Sequence, residues 1–203
     1  MQDHKGVMWF ATWDGLYKFD GYTFKNYKAH PGDSIGLSNN RLDNIKEDKY
    51  GYIWVRSYDH QVYRFNPRTE QFQAIPYENY LSQDIYVLPC GDVWVVTIQN
   101  ELIRITIHPD TQEMKATNFF KFHQISYSER INLIFQDKQQ NQWILTENGL
   151  YRLSQKNGEE KLSPYFVIPS IKDKQPFYDA LENEHALYFT SKRGCIYEYH
   201  SNN

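Results

Sequence analysis

Short runs of alternating apolar and polar residues, separated by polar turns, follow one another along this chain, and one order of residue types returns as a block. Its clearest copy is Gly51-Tyr52-Ile53-Trp54-Val55-Arg56-Ser57, followed after a turn by Val62-Tyr63-Arg64-Phe65-Asn66. The same order reads Gly6-Val7-Met8-Trp9-Phe10-Ala11-Thr12 before Leu16-Tyr17-Lys18-Phe19-Asp20, and Gly91-Asp92-Val93-Trp94-Val95-Val96-Thr97 before Leu102-Ile103-Arg104-Ile105. A fourth copy centres on Trp143 and reaches Leu150-Tyr151-Arg152-Leu153, and a fifth carries Tyr188 where the others have tryptophan. From residue 9 to 54, 94, 143 and 188 the steps are 45, 40, 49 and 45 residues. Alternation with period two predicts strands, and a repeat of about 40–50 residues predicts a propeller or another array of stacked units.

Within a unit the runs number four. In the second they cover about Arg41 to Glu47, Tyr52 to Ser57, Gln61 to Asn66 and Gln71 to Pro76. Asp48-Lys49-Tyr50-Gly51 supplies an aspartate that can bond its own backbone and a glycine for positive φ, and Asn66-Pro67-Arg68-Thr69 presets a tight reversal. A four-stranded meander this short cannot bury both faces alone, so neighbours stack face to face as blades. Trp9, Trp54, Trp94, Trp143 and Tyr188 are then the plugs between blades. The units cover about 1–30, 38–77, 83–123, 129–168 and 175–200, all within one propeller region 1–203. Unit three is expected to run from about Ile85 through Phe119-Phe120-Lys121-Phe122, and unit four carries a hairpin at Gln155-Lys156-Asn157-Gly158. Unit one lacks an opening strand and unit five a closing one. This predicts an all-β chain of four to five blades that forms an open arc rather than a closed ring.

Composition adds detail. The 203 residues are 40% hydrophobic and 23% charged, which describes an ordered globular chain. Aromatic content is 17%, which suits strands and equally supplies rings for sugar stacking. Net charge is -3 with both signs interspersed, so the basic footprint of a nucleic-acid binder is missing. No apolar run reaches the length of a membrane span, and no direct membrane contact is expected of this segment. The opening Asp3-His4-Lys5-Gly6 already lies inside a repeat and is silent about any leader. Cys90 and Cys195 fall at unrelated places in different repeats, so free, part-buried thiols are expected.

The chain resembles the two-component regulator propeller repeats of the periplasmic sensor region of hybrid histidine kinases. The family pattern is similar to ED-x-x-G-x-[IL]-W-[IV]-x-T-x-x-G-L-x-[RK]-[FY]-[DN]. Glu47-Asp48-Lys49-Tyr50-Gly51-Tyr52-Ile53-Trp54-Val55 carries its first half, and Thr12-Trp13-Asp14-Gly15-Leu16-Tyr17-Lys18-Phe19-Asp20 its second. Asp33-Ser34-Ile35-Gly36-Leu37-Ser38-Asn39-Asn40 is similar to the family's linker before an opening strand. Unit three departs through Leu88-Pro89-Cys90-Gly91, and unit five through Tyr188 and Glu198. The resemblance implies a periplasmic setting, the outer part of an inner-membrane protein that detects oligosaccharides and signals through a kinase. It also implies as partners the parent's other propeller blades or domains, and a homodimer mate.

No nucleophile elbow, H-E-x-x-H, phosphate loop or metal-spaced His/Cys cluster occurs, so neither cofactor nor metal nor catalytic residue is assigned. Glu47-Asp48, Asp92 and Asp137 sit where turns need carboxylates, and the seven histidines fall in turns and at strand ends. In a propeller the turns between second and third strands and the inter-blade connections share one face. Those turns read Trp13-Asp14-Gly15, Tyr58-Asp59-His60-Gln61, Ile98-Gln99-Asn100-Glu101, Glu147-Asn148 and Lys192-Arg193-Gly194. Trp13, Asp14, Tyr58, Asp59 and His60 are the ligand-binding candidates, because a ring beside a carboxylate can stack a sugar and bond its hydroxyls. The same rings could instead pack the rim between blades. A non-enzymatic sensor fragment is the first reading, a protein-interaction scaffold the second, and a propeller lyase or hydrolase the third.

Overall fold

The computed structural model of the chain describes residues 1–29, 36–122, 130–147, 149–156, 159–167, 176–184, 186–192 and 194–199. His30, Asp33-Ser34-Ile35, His123, Asn148, Asn157-Gly158, His185, Arg193 and His200 lie outside the described residues. Five antiparallel sheets form, with strands in chain order. Sheet 1 is β1 (Met8–Thr12), β2 (Gly15–Phe19) and β3 (Phe24–Tyr27). Sheet 2 is β4 (Leu42–Glu47), β5 (Ile53–Ser57), β6 (Val62–Asn66) and β7 (Gln71–Ala74). Sheet 3 is β8 (Ser82–Val87), β9 (Val93–Thr97), β10 (Leu102–Ile107) and β11 (Met114–Asn118). Sheet 4 is β12 (Ile131–Gln136), β13 (Gln142–Thr146), β14 (Gly149–Lys156) and β15 (Glu159–Val167). Sheet 5 is β16 (Phe177–Glu182), β17 (Leu187–Ser191) and β18 (Ile196–Tyr199). The strand pattern expected from the sequence is borne out, with one difference. Phe119–Phe122 is a single helical turn, α1, rather than the end of a strand.

Two compact units contain these sheets. Met1–Ser126 holds sheets 1 to 3, and Tyr127–Asn203 holds sheets 4 and 5. Within each unit the core lies between consecutive sheets. Trp9, Leu16 and Tyr27 of sheet 1 pack with Ile53, Val55 and Phe65 of sheet 2. Trp54 and Val62 pack with Ile85, Val93 and Val95 of sheet 3, and Trp143 packs with Phe177, Leu187 and Phe189 of sheet 5. Second strands are therefore apolar on both faces: every residue of β9 and β13 is buried. In sheets 2 to 5 the first strand carries a β-bulge in its opening residues, at Leu42/Asn44, Ser82/Asp84, Ile131/Leu133 and Phe177/Asp179. Such bulges bend a strand and raise its twist.

The recurring tryptophans are fixed by a shared turn chemistry. Asp48 accepts the Tyr50 and Tyr52 backbone N–H groups on one oxygen, and the Trp54 indole N–H on the other at 2.9 Å. Asp3 does the same for Lys5, Val7 and Trp9, and Asp137 accepts from Asn141 and Trp143. Directly across the strand pair, a cation faces each ring: Lys18 opposite Trp9, Arg64 opposite Trp54, Arg104 opposite Trp94 and Arg152 opposite Trp143. Trp9, Trp54, Trp94 and Trp143 are 0–1% exposed. Trp94 meets Phe119 of α1 edge-on, with ring centroids 5.1 Å apart.

Tyr188 differs from the plug expected there. It is half-buried, and its hydroxyl donates to Glu198, which faces it across β17 and β18. Ring and cation have become phenol and carboxylate together, so the pair keeps a partner with the charge inverted. In sheets 1, 2 and 4 this position faces the following sheet, and no sheet follows sheet 5 among the described residues. The buried rings of this region are Phe177 and Phe189. Neither cysteine forms a disulfide; Cys90 is half-buried, while Cys195 is exposed rather than part-buried.

Candidate functional site

The turns between second and third strands are tied to the segments that lead into first strands. Tyr58 N–H donates to Arg41 C=O at 2.8 Å, and Ile98 N–H to Leu81 C=O at 2.9 Å. Glu147 bonds Arg130 in the same way, and Lys192 bonds Pro176. In the Met1–Ser126 unit the connector from sheet 1 to sheet 2 is held at both ends. Gly15 N–H donates to Asn40 C=O at 2.7 Å, and the Asn40 side chain pairs with both backbone groups of Ala29. Ser38 donates to Asp59 at 2.8 Å and lies 2.6 Å from the Tyr63 hydroxyl, while Leu37 is buried below.

That stitching sets Arg41 between two exposed rings. The Arg41 Cζ lies 4.4 Å from the Trp13 ring centroid and 3.7 Å from that of Tyr58. Trp13 is 77% exposed and Tyr58 54%. Trp13 and Tyr58 occupy equivalent positions, each four residues after its sheet's buried tryptophan, and Ile98 is their equivalent in sheet 3. Ile98 and Leu81 are also exposed, which continues an apolar rim along the same strand ends.

The polar candidates take framework roles. Asp14 accepts from Lys28 at 3.0 Å, from Tyr17 and from Asn26; the Lys28 bond holds its carboxyl below the ordinary aspartate range. Asp59 accepts from the Ser57 and Ser38 hydroxyls and so pins the connector to the turn. His60 sits at φ 64°, with its ring Nδ1 2.8 Å from Ser82 C=O and its own carbonyl accepting from Ser82 N–H. The structure thus brings Trp13 and Tyr58 together, while Asp14, Asp59 and His60 hold the turns that present them. The sequence reading missed Arg41. Its signal was its place directly after Asn39-Asn40, at the end of the connector.

Gly15 closes the Trp13 turn at φ 108°, where a Cβ would lie 2.5 Å from Tyr27 C=O. Gly15→Ala is therefore expected to destabilise the protein by about 1–3 kcal/mol, read as a lowered urea midpoint. An unchanged midpoint would refute this turn geometry. A separate cavity of about 290 Å³ lies at the opposite strand ends, lined by His4, Tyr50, Tyr52 and Arg68 among others. Among the described residues no group of three His, Cys, Asp or Glu side chains could hold a metal ion, and no helix is long and apolar enough to cross a membrane.

No family model matches the chain. The chain is 54% identical to "Histidine kinase P4" of Formosa agariphila over 37 residues, which is 18% of this chain and 3% of that protein. Among solved structures, PorZ, a surface component of the type-IX secretion system of Porphyromonas gingivalis, superposes with a TM-score of 0.66 at 13% identity, covering 95% of this chain and 30% of that one. Virginiamycin B lyase of Staphylococcus aureus does so at 0.60 and 14% identity, over all of this chain and 69% of that one. The sheets are β-propeller blades. A third likeness is to the extracellular domain of BT3049, a putative hybrid two-component system of B. thetaiotaomicron, with TM-score 0.50 and 18% identity over all of this chain and 34% of that one. The chain thus spans about a third or less of the PorZ and BT3049 chains and a small part of the kinase. At these identities the structural likenesses describe the blades alone, which here carry the exposed Trp13–Arg41–Tyr58 rim.

Proposed function

We propose that this chain is a detecting propeller segment of a two-component signalling protein. It lies outside the cytoplasm, has no catalytic activity of its own, and receives an oligosaccharide on the rim formed by Trp13 and Tyr58. The observation that carries this reading is the exposure of two rings at equivalent turns of consecutive blades, held at fixed spacing around one guanidinium. Sugars present apolar C–H faces that stack on such rings, and aromatic rings are large contact surfaces with little rotamer freedom to lose. The local identity to a histidine kinase and the fold shared with the BT3049 extracellular domain support the signalling setting. A non-catalytic role is supported by the use of Asp14, Asp59 and His60 as framework groups, which leaves the rim's own acids and imidazole engaged. The lyase likeness extends to the blades.

A second reading, a docking surface for another protein domain, is favoured by the exposed Leu81 and Ile98 that continue the rim. Titration of the full extracytoplasmic protein against an oligosaccharide library separates the two. Trp13→Ala and Tyr58→Ala are each expected to weaken saccharide binding about tenfold, the scale of an aromatic contact with its buried area. Unchanged affinity in both variants would remove the rim from saccharide binding and favour the docking surface.

A further inference from the structure

We propose that Arg41 makes this rim a receptor for an acidic saccharide, with the guanidinium engaging a carboxylate or sulfate group of the sugar; this rests on the saccharide reading above. The guanidinium is held between the Tyr58 and Trp13 rings. A guanidinium that stacks on rings presents the faces of its plane to them, and its five N–H donors lie in that plane. Among the described residues those donors meet no acceptor: the hydrogen bond made by Arg41 as a donor comes from its backbone N–H, to Asn39.

Four other arginines are paired, while the exposed Arg68 and Arg130 make no side-chain hydrogen bond or ion pair among the described residues. Arg56 is bidentate to Asp43, and Arg64 and Arg104 bond Asp48 and Asp92. Arg152 donates to the Asn141 side-chain oxygen. Among the described residues the carboxylates of these turns and of the adjoining strand have other partners, Asp14 in Lys28, Asp59 in Ser38 and Ser57, and Asp43 in Arg56. Among the described residues no carboxylate forms an ion pair with Arg41, whose guanidinium lies against two rings.

The fold does not require arginine here. The bond that ties this position to its turn uses only the Arg41 carbonyl, and Leu81, Arg130 and Pro176 occupy the equivalent place in the other blades. A planar guanidinium with free edge donors matches the paired oxygens of a carboxylate or sulfate in a fork-to-fork contact. The flanking rings would stack the sugar that bears the acid. Ordering the guanidinium in advance lowers the entropy lost on binding.

The test is a glycan array probed with the full extracytoplasmic protein. Its panel holds neutral, uronic-acid-bearing and sulfated oligosaccharides, with the methyl esters of the uronic acids alongside. Binding is expected to be confined to the acidic members, to disappear on esterification of the uronic acids, and to weaken as salt rises. Whether the carboxylated or the sulfated arm responds identifies the source of the anion. Arg41→Gln should cost on the order of ten- to a hundredfold in affinity, and Arg41→Lys should recover only part of the loss, because a point charge replaces the fork. Both variants should melt within a few degrees of the parent protein, since the Arg41 side chain makes no hydrogen bond or ion pair among the described residues and its two ring partners are exposed. Acidic glycans bound equally well by Arg41→Gln would overturn the proposal. Neutral glycans bound in a Trp13-dependent way would overturn it while leaving the saccharide reading in place. Silence on every arm would overturn both.

Discussion

Replacing Trp54 by alanine is expected to cost about 3–5 kcal/mol of stability, the usual range for removing a large buried ring. The indole is fully buried between the second and third blades among Val62, Ile85, Val93 and Val95. Its N–H donates to Asp48, and the Arg64 guanidinium lies 5.9 Å from its ring centroid. The substitution leaves a cavity between two β-sheets whose backbones are fixed by their own ladders, so the site can collapse only in part. Chemical denaturation of the full chain measures the loss. Trp13→Ala is the paired control: it removes the same side chain from a 77% exposed position, so its cost should stay within about 0.5 kcal/mol. Equal losses for the two variants would contradict the assignment of Trp54 as an inter-blade plug and Trp13 as an available surface.

Asp48→Ala is expected to be as damaging, again about 3–5 kcal/mol, through electrostatics rather than volume. The Asp48 and Arg64 side chains are 0% and 1% exposed and are joined at 2.9 Å. Removing the carboxylate strands a buried guanidinium and also deprives the Trp54 indole and the Tyr50 and Tyr52 backbone N–H groups of their acceptor. Asp48→Asn should be milder, since an amide oxygen can still accept from the turn. Because Trp54 and Asp48 share a hydrogen bond, the double variant should lose less than the two single losses combined. Strict additivity would show that the two residues act independently. Arg64 is further held by Gln112 of the third blade, so this pair also spans two blades.

The propeller reading was legible because its causes are local. Period-two alternation marks a strand, Asp and Gly mark the turn before it, and an apolar second strand marks burial on both faces. These features sit within a few residues of one another in Asp48-Lys49-Tyr50-Gly51-Tyr52-Ile53-Trp54. The recurrence of Trp9, Trp54, Trp94 and Trp143 turned that local pattern into an architecture. Boundaries held to within a residue or two where the turns carried Asp, Gly or Pro. They failed at Phe119–Phe122, where four consecutive bulky or long side chains have no alternation to read and form a helical turn. The first-strand bulges left no sequence mark, because any residue fills them: Asp43, Gln83, Asn132 and Tyr178 stand there.

The rim was legible only in part. Trp13 and Tyr58 could be named, since an exposed ring in a turn is visible from its polar neighbours. Arg41 could not, because it lies far from both rings in the chain and meets them only after the connector is stitched to Gly15 and Tyr58. Asp14, Asp59 and His60 were named from their place beside the rings, and the structure adds that Lys28, Ser38, Ser57 and Ser82 bond them, partners contributed by neighbouring strands and connectors. Tyr188 was expected as a buried plug and is half-buried, with Glu198 opposite it where the tryptophans face a cation. By itself the sequence determined the strands, their turns, the repeat and the inter-blade places of Trp9, Trp54 and Trp143, all of which follow from neighbouring residues and period. Only the tertiary structure decided which polar groups are engaged and that, among the described residues, Arg41 meets rings rather than a carboxylate, because side-chain partners are allotted by the packing of one blade on the next.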